Sequence, residues 1–177
     1  MRSSGVHHVD LVVSSIERSL PFYRELLGPL GYTRIGEVEG ERGETIWYLG
    51  GTGCAVGLRQ AQSEGATDRY RVGLHHVAFN ASSRDAVDER HGWLVGSGAT
   101  IESEPQEYAY IPGYYAVFFY DPDGIKLEIV NVPARMSDLA HLYGVDGLLG
   151  VEAAPFEPAA KVGESKPPEI PTVPILR

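Results

Sequence analysis

Two stretches of this chain are nearly the same sentence: GVHHVDLVV from Gly5 to Val13 and GLHHVAFN from Gly73 to Asn80. The 177 residues hold only six histidines, and four of them fall in these two adjacent pairs. Each pair leads into an apolar run of strand character. His8 and His76 stand 68 positions apart, and the likeness continues past them. The first pair is followed by SSIERSLPFYRELLGPLGY and the second by SSRDAVDERHGWLVGSGAT. Both segments open on two serines, carry helical spacing and close on glycine. Ser14 with Glu17, and Ser82 with Asp85, have the spacing of a helix N-cap with an acidic residue at N3. Gly28 and Gly31, and Gly96 and Gly98, supply the stops. Pro21 would cost ~3 kcal/mol in a helix interior, so the spacing predicts a short first turn and then a main helix with Pro21 near its start.

Beyond the helices, ETIWYLGGTGCAVGLRQ and GYYAVFFYDPDGIKLEIVN both read as strand, Gly-rich turn, strand. Gly53 matches Gly124 at an offset of 71, and DPDG is a hairpin connection. Weak strands at TRIGEVEG and TIESEP complete each half as strand, helix and three strands. The expected fold is therefore α+β: two paired βαβββ modules, about 5–60 and 73–132, curving a mixed sheet into an open barrel with the helices outside and a cleft within. Internal two-fold symmetry would set equivalent residues of the halves opposite each other. Residues 133–177 form an extension that holds seven of the twelve prolines, and it is expected to pack over its own barrel or a neighbouring subunit.

Composition narrows the partners. The net charge is −9 with no Lys/Arg cluster to offset it, so a nucleic-acid backbone would be repelled. No apolar run is long enough to span a bilayer, and the N-terminus MRSSGVHHVD does not read as a secretion signal. A single cysteine, Cys54, suits a reducing compartment, and a cytoplasmic protein is expected. The partner expected is a small-molecule substrate, and a homodimer is carried as a further expectation.

Strand alternation then sorts the candidate chemistry. In VHHVDLVV, His8, Asp10 and Val12 share one face, while the more apolar His7, Val9, Leu11 and Val13 should pack under the helices. The same reasoning directs His76, Ala78 and Asn80 into the cleft and sends His75 to the core. In GIKLEIVN the apolar face is Ile125, Leu127 and Ile129, which leaves Glu128 inside an apolar strand and in need of a partner. His8, His76 and Glu128 on one inner face would make a site for a divalent transition ion with open positions: Fe, Mn, Ni, Co or Zn. Asp10 is a candidate proton acceptor, or else a rim residue that orients a ligand. Tyr114 and Tyr120 are candidates to donate a hydrogen bond to substrate, or else packing residues. Trp47 matches Phe118 at the offset of 71, so the two are expected as aromatic cleft walls, with Asn80 nearby.

The run VHHVDLVV, SLPFYRELLG, LHHVAF and FFYDPDGIKLEIV resembles the vicinal oxygen chelate superfamily, which includes glyoxalase I, fosfomycin-resistance thiol transferases, extradiol dioxygenases, methylmalonyl-CoA epimerase and bleomycin-binding proteins. The resemblance covers about 5–132. It implies a glyoxalase/dioxygenase-like fold, metal ligands at His8, His76 and Glu128, and chelation of vicinal oxygens of a small metabolite by a lyase, dioxygenase, epimerase or thiol transferase. Gly57 stands where glyoxalase I-like members carry a fourth, carboxylate ligand, which weakens that branch. The competing expectation is a non-catalytic drug- or ligand-binding protein of the bleomycin-resistance type.

Overall fold

The structure is a computed structural model that describes residues 5–51, 53–110 and 112–132; the C-terminal extension, 133–177, lies outside the described residues. The first module runs β1 (His8–Val13), α1 (Ile16–Leu27), a 3₁₀ turn (Gly28–Leu30), β2 (Arg34–Glu39), β3 (Thr45–Gly50) and β4 (Ala55–Gln60). The second runs β5 (Val77–Asn80), α2 (Arg84–Gly96), β6 (Thr100–Tyr108), β7 (Tyr114–Tyr120) and β8 (Lys126–Asn131). Each module builds its own four-stranded sheet, in the orders β1-β4-β3-β2 and β5-β8-β7-β6. β1 pairs parallel with β4 and β5 with β8, and the remaining neighbours are antiparallel. The α+β reading and the duplicated βαβββ order hold. The two mixed sheets are separate ladders and do not close into a barrel.

Both helices are capped by serine, one residue later than the spacing predicts. Ser15 accepts from the Arg18 amide and Ser83 from the Ala86 amide. Ser14 is drawn off by another partner, since its amide and hydroxyl both bond the carboxylate of Asp123. Pro21 does not separate a first turn from the main helix but lies inside one continuous α1. It is exposed, and its neighbours Tyr23, Leu26 and Leu27 are fully buried. That burial offsets the intrahelical bond Pro21 cannot donate.

One core cluster joins the modules. Leu11, Val13, Leu49, Val56 and Leu58 from the first sheet share it with Phe79, Val117, Phe119, Leu127 and Ile129 from the second, and the helices add Tyr23, Leu26, Val87 and Leu94. The buried Tyr23 hydroxyl donates to Asp121 at 2.8 Å, tying α1 to the turn before β8. Burial is the main cause that holds the Tyr23 hydroxyl well above its ordinary pKa, with the Asp121 carboxylate adding to it. In each sheet one face is committed to this core, so chemistry must be carried by the other.

A candidate metal centre on the second sheet

Glu128 lies in the middle of β8, flanked in the ladder by Ala78 of β5 and Phe118 of β7. It is only 1% exposed, a costly place for an ionised carboxylate without partners. Two groups meet it. The Tyr114 hydroxyl donates to Oε1, and His76 Nε2 stands 3.2 Å from Oε2. His76 reaches β8 because the parallel register begins at the next residue, Val77 opposite Leu127. Nitrogen and oxygen ligands each ~2.1 Å from one ion, at angles of about 90–110°, stand roughly 3.0–3.4 Å apart. The 3.2 Å between His76 Nε2 and Glu128 Oε2 falls within that range.

These groups open onto a cleft of about 480 Å³ walled by Phe118, Tyr108, Tyr110 and Tyr114 and lined also by Glu102 and Lys126. Phe118 and Tyr108 meet edge to face at 5.2 Å, and His76 lies edge-on to Phe118 at 6.3 Å. Within this lining Glu102 collects Lys126 Nζ at 2.6 Å, Arg69 at 2.5 Å and the Tyr120 hydroxyl. Partial burial works to raise the Glu102 pKa, but the bonds from Lys126, Tyr120 and Arg69 prevail and hold it at about 2. Lys126 is itself buried and caps the Phe118 ring, its Nζ 4.5 Å from the centroid.

The corresponding face of the first sheet carries His8, Asp10, Tyr48 and Arg59. Asp10 pairs with Gly57 in the ladder, and Gly57 pairs with Tyr48. Arg59 Nε donates to Asp10 Oδ2 at 2.8 Å and the Tyr48 hydroxyl to the same oxygen at 3.3 Å. Oδ1 is buried with no hydrogen-bond partner among the described residues. The two sheets carry their carboxylates on different strands: Glu128 projects from the β8 position that Gly57 matches on β4, and Asp10 projects from the β1 position that Ala78 matches on β5.

Of the three expected ligands, the structure brings His76 and Glu128 together. His8 lies on the first sheet, edge-on to Tyr48 at 5.6 Å. No group of three His, Cys, Asp or Glu gathers around one point among the described residues. Tyr114 touches the candidate centre through Glu128. Tyr120 shares its face but belongs to the Glu102 cluster, where it accepts from Arg69 at 2.7 Å. Asn80 is exposed beside Val130, two rungs beyond that of Glu128.

Two expectations need correction. Trp47 is not the counterpart of Phe118: it packs against the core with Leu49, and the residue paired with Gly57 as Phe118 is paired with Glu128 is Tyr48. The cause is hairpin length, four connecting residues between β3 and β4 against five between β7 and β8. One extra residue reverses which face a given offset lands on. His7 and His75 do not pack beneath the helices either. Both are exposed and precede the strand ladders, where alternation is not yet imposed. Each instead sets its Nδ1 against the Nδ1 of the next histidine, at 2.8 Å for His7 and His8 and 2.7 Å for His75 and His76. Partial desolvation first, then His76, Lys126 and Arg69, hold the His75 pKa below the ordinary imidazole range. The Glu102 cluster and Tyr108 were not legible in the sequence, because Arg69 comes from the linker and the irregularities of β6 between Ile101 and Gln106 break the alternation ahead of Tyr108.

A family model described as the Glyoxalase/Bleomycin resistance protein/Dioxygenase superfamily matches residues 5–129. The chain belongs to this superfamily. YqjT, an uncharacterized protein of Bacillus subtilis strain 168, is 34% identical to this superfamily member over 131 residues, which cover 71% of the chain and 97% of YqjT. The metallothiol transferase FosB of Staphylococcus epidermidis is 28% identical over 126 residues, covering 71% of this chain and 81% of FosB. Among solved structures, a glyoxylase/bleomycin resistance protein/dioxygenase domain from Frankia sp. EAN1pec superposes with a TM-score of 0.59 at 27% identity, over 73% of this chain and 98% of that one. The superfamily fold thus accounts for the two modules, and 133–177 lie beyond the family match. No helix among the described residues is long and apolar enough to cross a membrane.

Proposed function

We propose that this superfamily member is a divalent-metal-dependent enzyme that chelates vicinal oxygens of a small metabolite, with His8, His76 and Glu128 as its protein ligands. One observation carries the reading: a carboxylate only 1% exposed faces an imidazole nitrogen across 3.2 Å at the wall of an aromatic cleft. A bound ion, one of Fe, Mn, Ni, Co or Zn, would supply Lewis acidity toward two adjacent substrate oxygens. Tyr114 anchors Glu128 Oε1 and so turns Oε2 toward His76. Phe118 and Tyr108 exclude water from the bound metabolite, and Lys126 sets a positive edge in the cleft. Asp10, oriented by Arg59 and Tyr48, is the proton acceptor that a second sheet would bring to the cleft.

The third ligand is best supplied by a second copy of the chain. The face carrying His8 and the face carrying His76 and Glu128 are each half of a site, and a homodimer that sets one chain's first module against the other's second would complete two sites at once. A cytoplasmic setting fits the lone Cys54. Among the reactions open to such a centre, thiol transfer gains support from the likeness to FosB, with lyase, epimerase and dioxygenase chemistry as the other forms.

Metal analysis of the full chain tests this. The expected result is close to one transition ion per chain, lost in Glu128→Gln and in His76→Ala. A second reading draws on the absence of a three-donor group among the described residues: a non-catalytic, bleomycin-resistance-type protein that holds its ligand in the aromatic cleft. Wild-type protein that stays metal-free after dialysis against each of the five ions would favour that reading and overturn the first.

A further inference from the structure

The adjacent histidines form the same contact twice. His7 Nδ1 lies 2.8 Å from His8 Nδ1, and His75 Nδ1 lies 2.7 Å from His76 Nδ1. The two rings of each pair cross nearly at right angles, with centroids 5.1 and 5.0 Å apart. At such distances one nitrogen must donate and the other accept. The repeat of this contact at equivalent places in two modules, with different surroundings, is not accounted for by core packing, since His7 and His75 are exposed. The direction of the bond follows from the far nitrogen of the second ring. His76 Nε2 is the atom that faces Glu128. For that nitrogen to offer a lone pair to a cation, the single proton of the neutral ring must sit on Nδ1, which faces His75 Nδ1 at 2.7 Å.

We propose that His7 and His75 are positioning residues: each accepts a hydrogen bond from Nδ1 of the following histidine and thereby fixes Nε2 of His8 and of His76 as the metal-binding nitrogen. The inference rests on the metal reading above. It assigns one duty to each member of a pair, ligand to the second and acceptor to the first. Tautomer and ring orientation of a ligating imidazole are normally set by whatever its other nitrogen bonds, and loss of that partner weakens metal binding about 10–100-fold. Here the partner is another imidazole, next in sequence, in both halves of the repeat.

The test uses the full chain with ¹⁵N-labelled histidine and zinc as the probe. On zinc addition, Nε2 of His8 and His76 should shift. Their Nδ1 atoms should keep a proton that shows coupling across the bond to Nδ1 of His7 and His75. Zinc-induced shifts at Nε2 without that coupling, or zinc on Nδ1, would overturn the pairing while leaving the metal site intact. Zinc that moves no histidine nitrogen would instead overturn the metal reading, and the positioning role with it. Two substitutions give an independent measure. His75→Leu removes the acceptor and should raise the zinc dissociation constant about 10–100-fold, whereas His75→Asn presents an oxygen near the same place and should recover most of that loss. Equal weakening by both would show that shape alone matters and would sink the proposal.

Discussion

An ideal Cβ at position 57 would stand 2.2 Å from Asp10 Oδ1 and 2.8 Å from Tyr48 Cε1. Gly57 and the Asp10 carboxylate therefore compete for one volume, and the glycine is what allows the Arg59–Asp10 pair to lie flat on the sheet. Gly57→Ala should push Asp10 off Arg59 and Tyr48 and cost about 1–3 kcal/mol in a denaturant melt, as overpacking does. Adding Asp10→Ala should recover part of that loss, and a double-mutant cycle that found the two effects additive would refute the competition. At the candidate centre the same reasoning works in reverse. Glu128→Gln keeps the shape of a fully enclosed side chain but removes its charge, so metal content should drop while the melting temperature of metal-free protein holds or rises. The buried ion without its cation is a burden that the amide does not carry.

The helices show which local features were legible in the sequence. Paired serines followed by acidic residues located both N-termini to within one residue; the cap fell on Ser15 because Asp123, 109 positions from Ser14, claims the first serine. Competition of that kind belongs to tertiary structure and has no local trace. Ser15→Ala should cost about 1 kcal/mol, read by chemical denaturation, with Ser83→Ala similar. Strand alternation assigned the faces of β1, β5 and β8 correctly, since Leu11, Val13, Phe79, Leu127 and Ile129 are all core residues. It failed for Trp47 because one offset cannot span two hairpins of unequal length. It also failed for His7 and His75, which sit where the ladder has not yet begun. The pair His76 and Glu128 was readable from the repeat, but the absence of His8 from their company was not: which module faces which is decided by packing of α1 against α2 and of Tyr23 on Asp121, contacts with no periodic signature.

Two tests belong to the whole molecule. If two copies share each site, His8→Ala and Glu128→Gln chains should each bind little metal alone. Unfolded, mixed in equal amounts and refolded, they should recover roughly a quarter of the wild-type content, because half of the random dimers are mixed and each holds one undamaged site. No recovery would mean that each chain works alone or not at all. The second test concerns acid. Glu102 has a folded pKa of about 2, below its ordinary carboxylate value, so the stability it lends through Lys126, Arg69 and Tyr120 is present above that ordinary value and fades as pH falls toward 2. Glu102→Gln should flatten the decline of melting temperature across that acid window and leave the neutral range less stable, since Lys126 then lies buried beside Phe118 with no counter-ion from position 102.

The unequal hairpins reach further than one misplaced tryptophan. Four linking residues in one half and five in the other hold equivalent rungs, Tyr48 on Gly57 and Phe118 on Glu128, so a chimera that grafted the longer turn onto the first module should keep Trp47 packed and Tyr48 on the open face. The extra residue is absorbed within the turn and leaves the paired strands of both copies equivalent. Each is free to specialise its exposed side while its packed side stays under the old constraint.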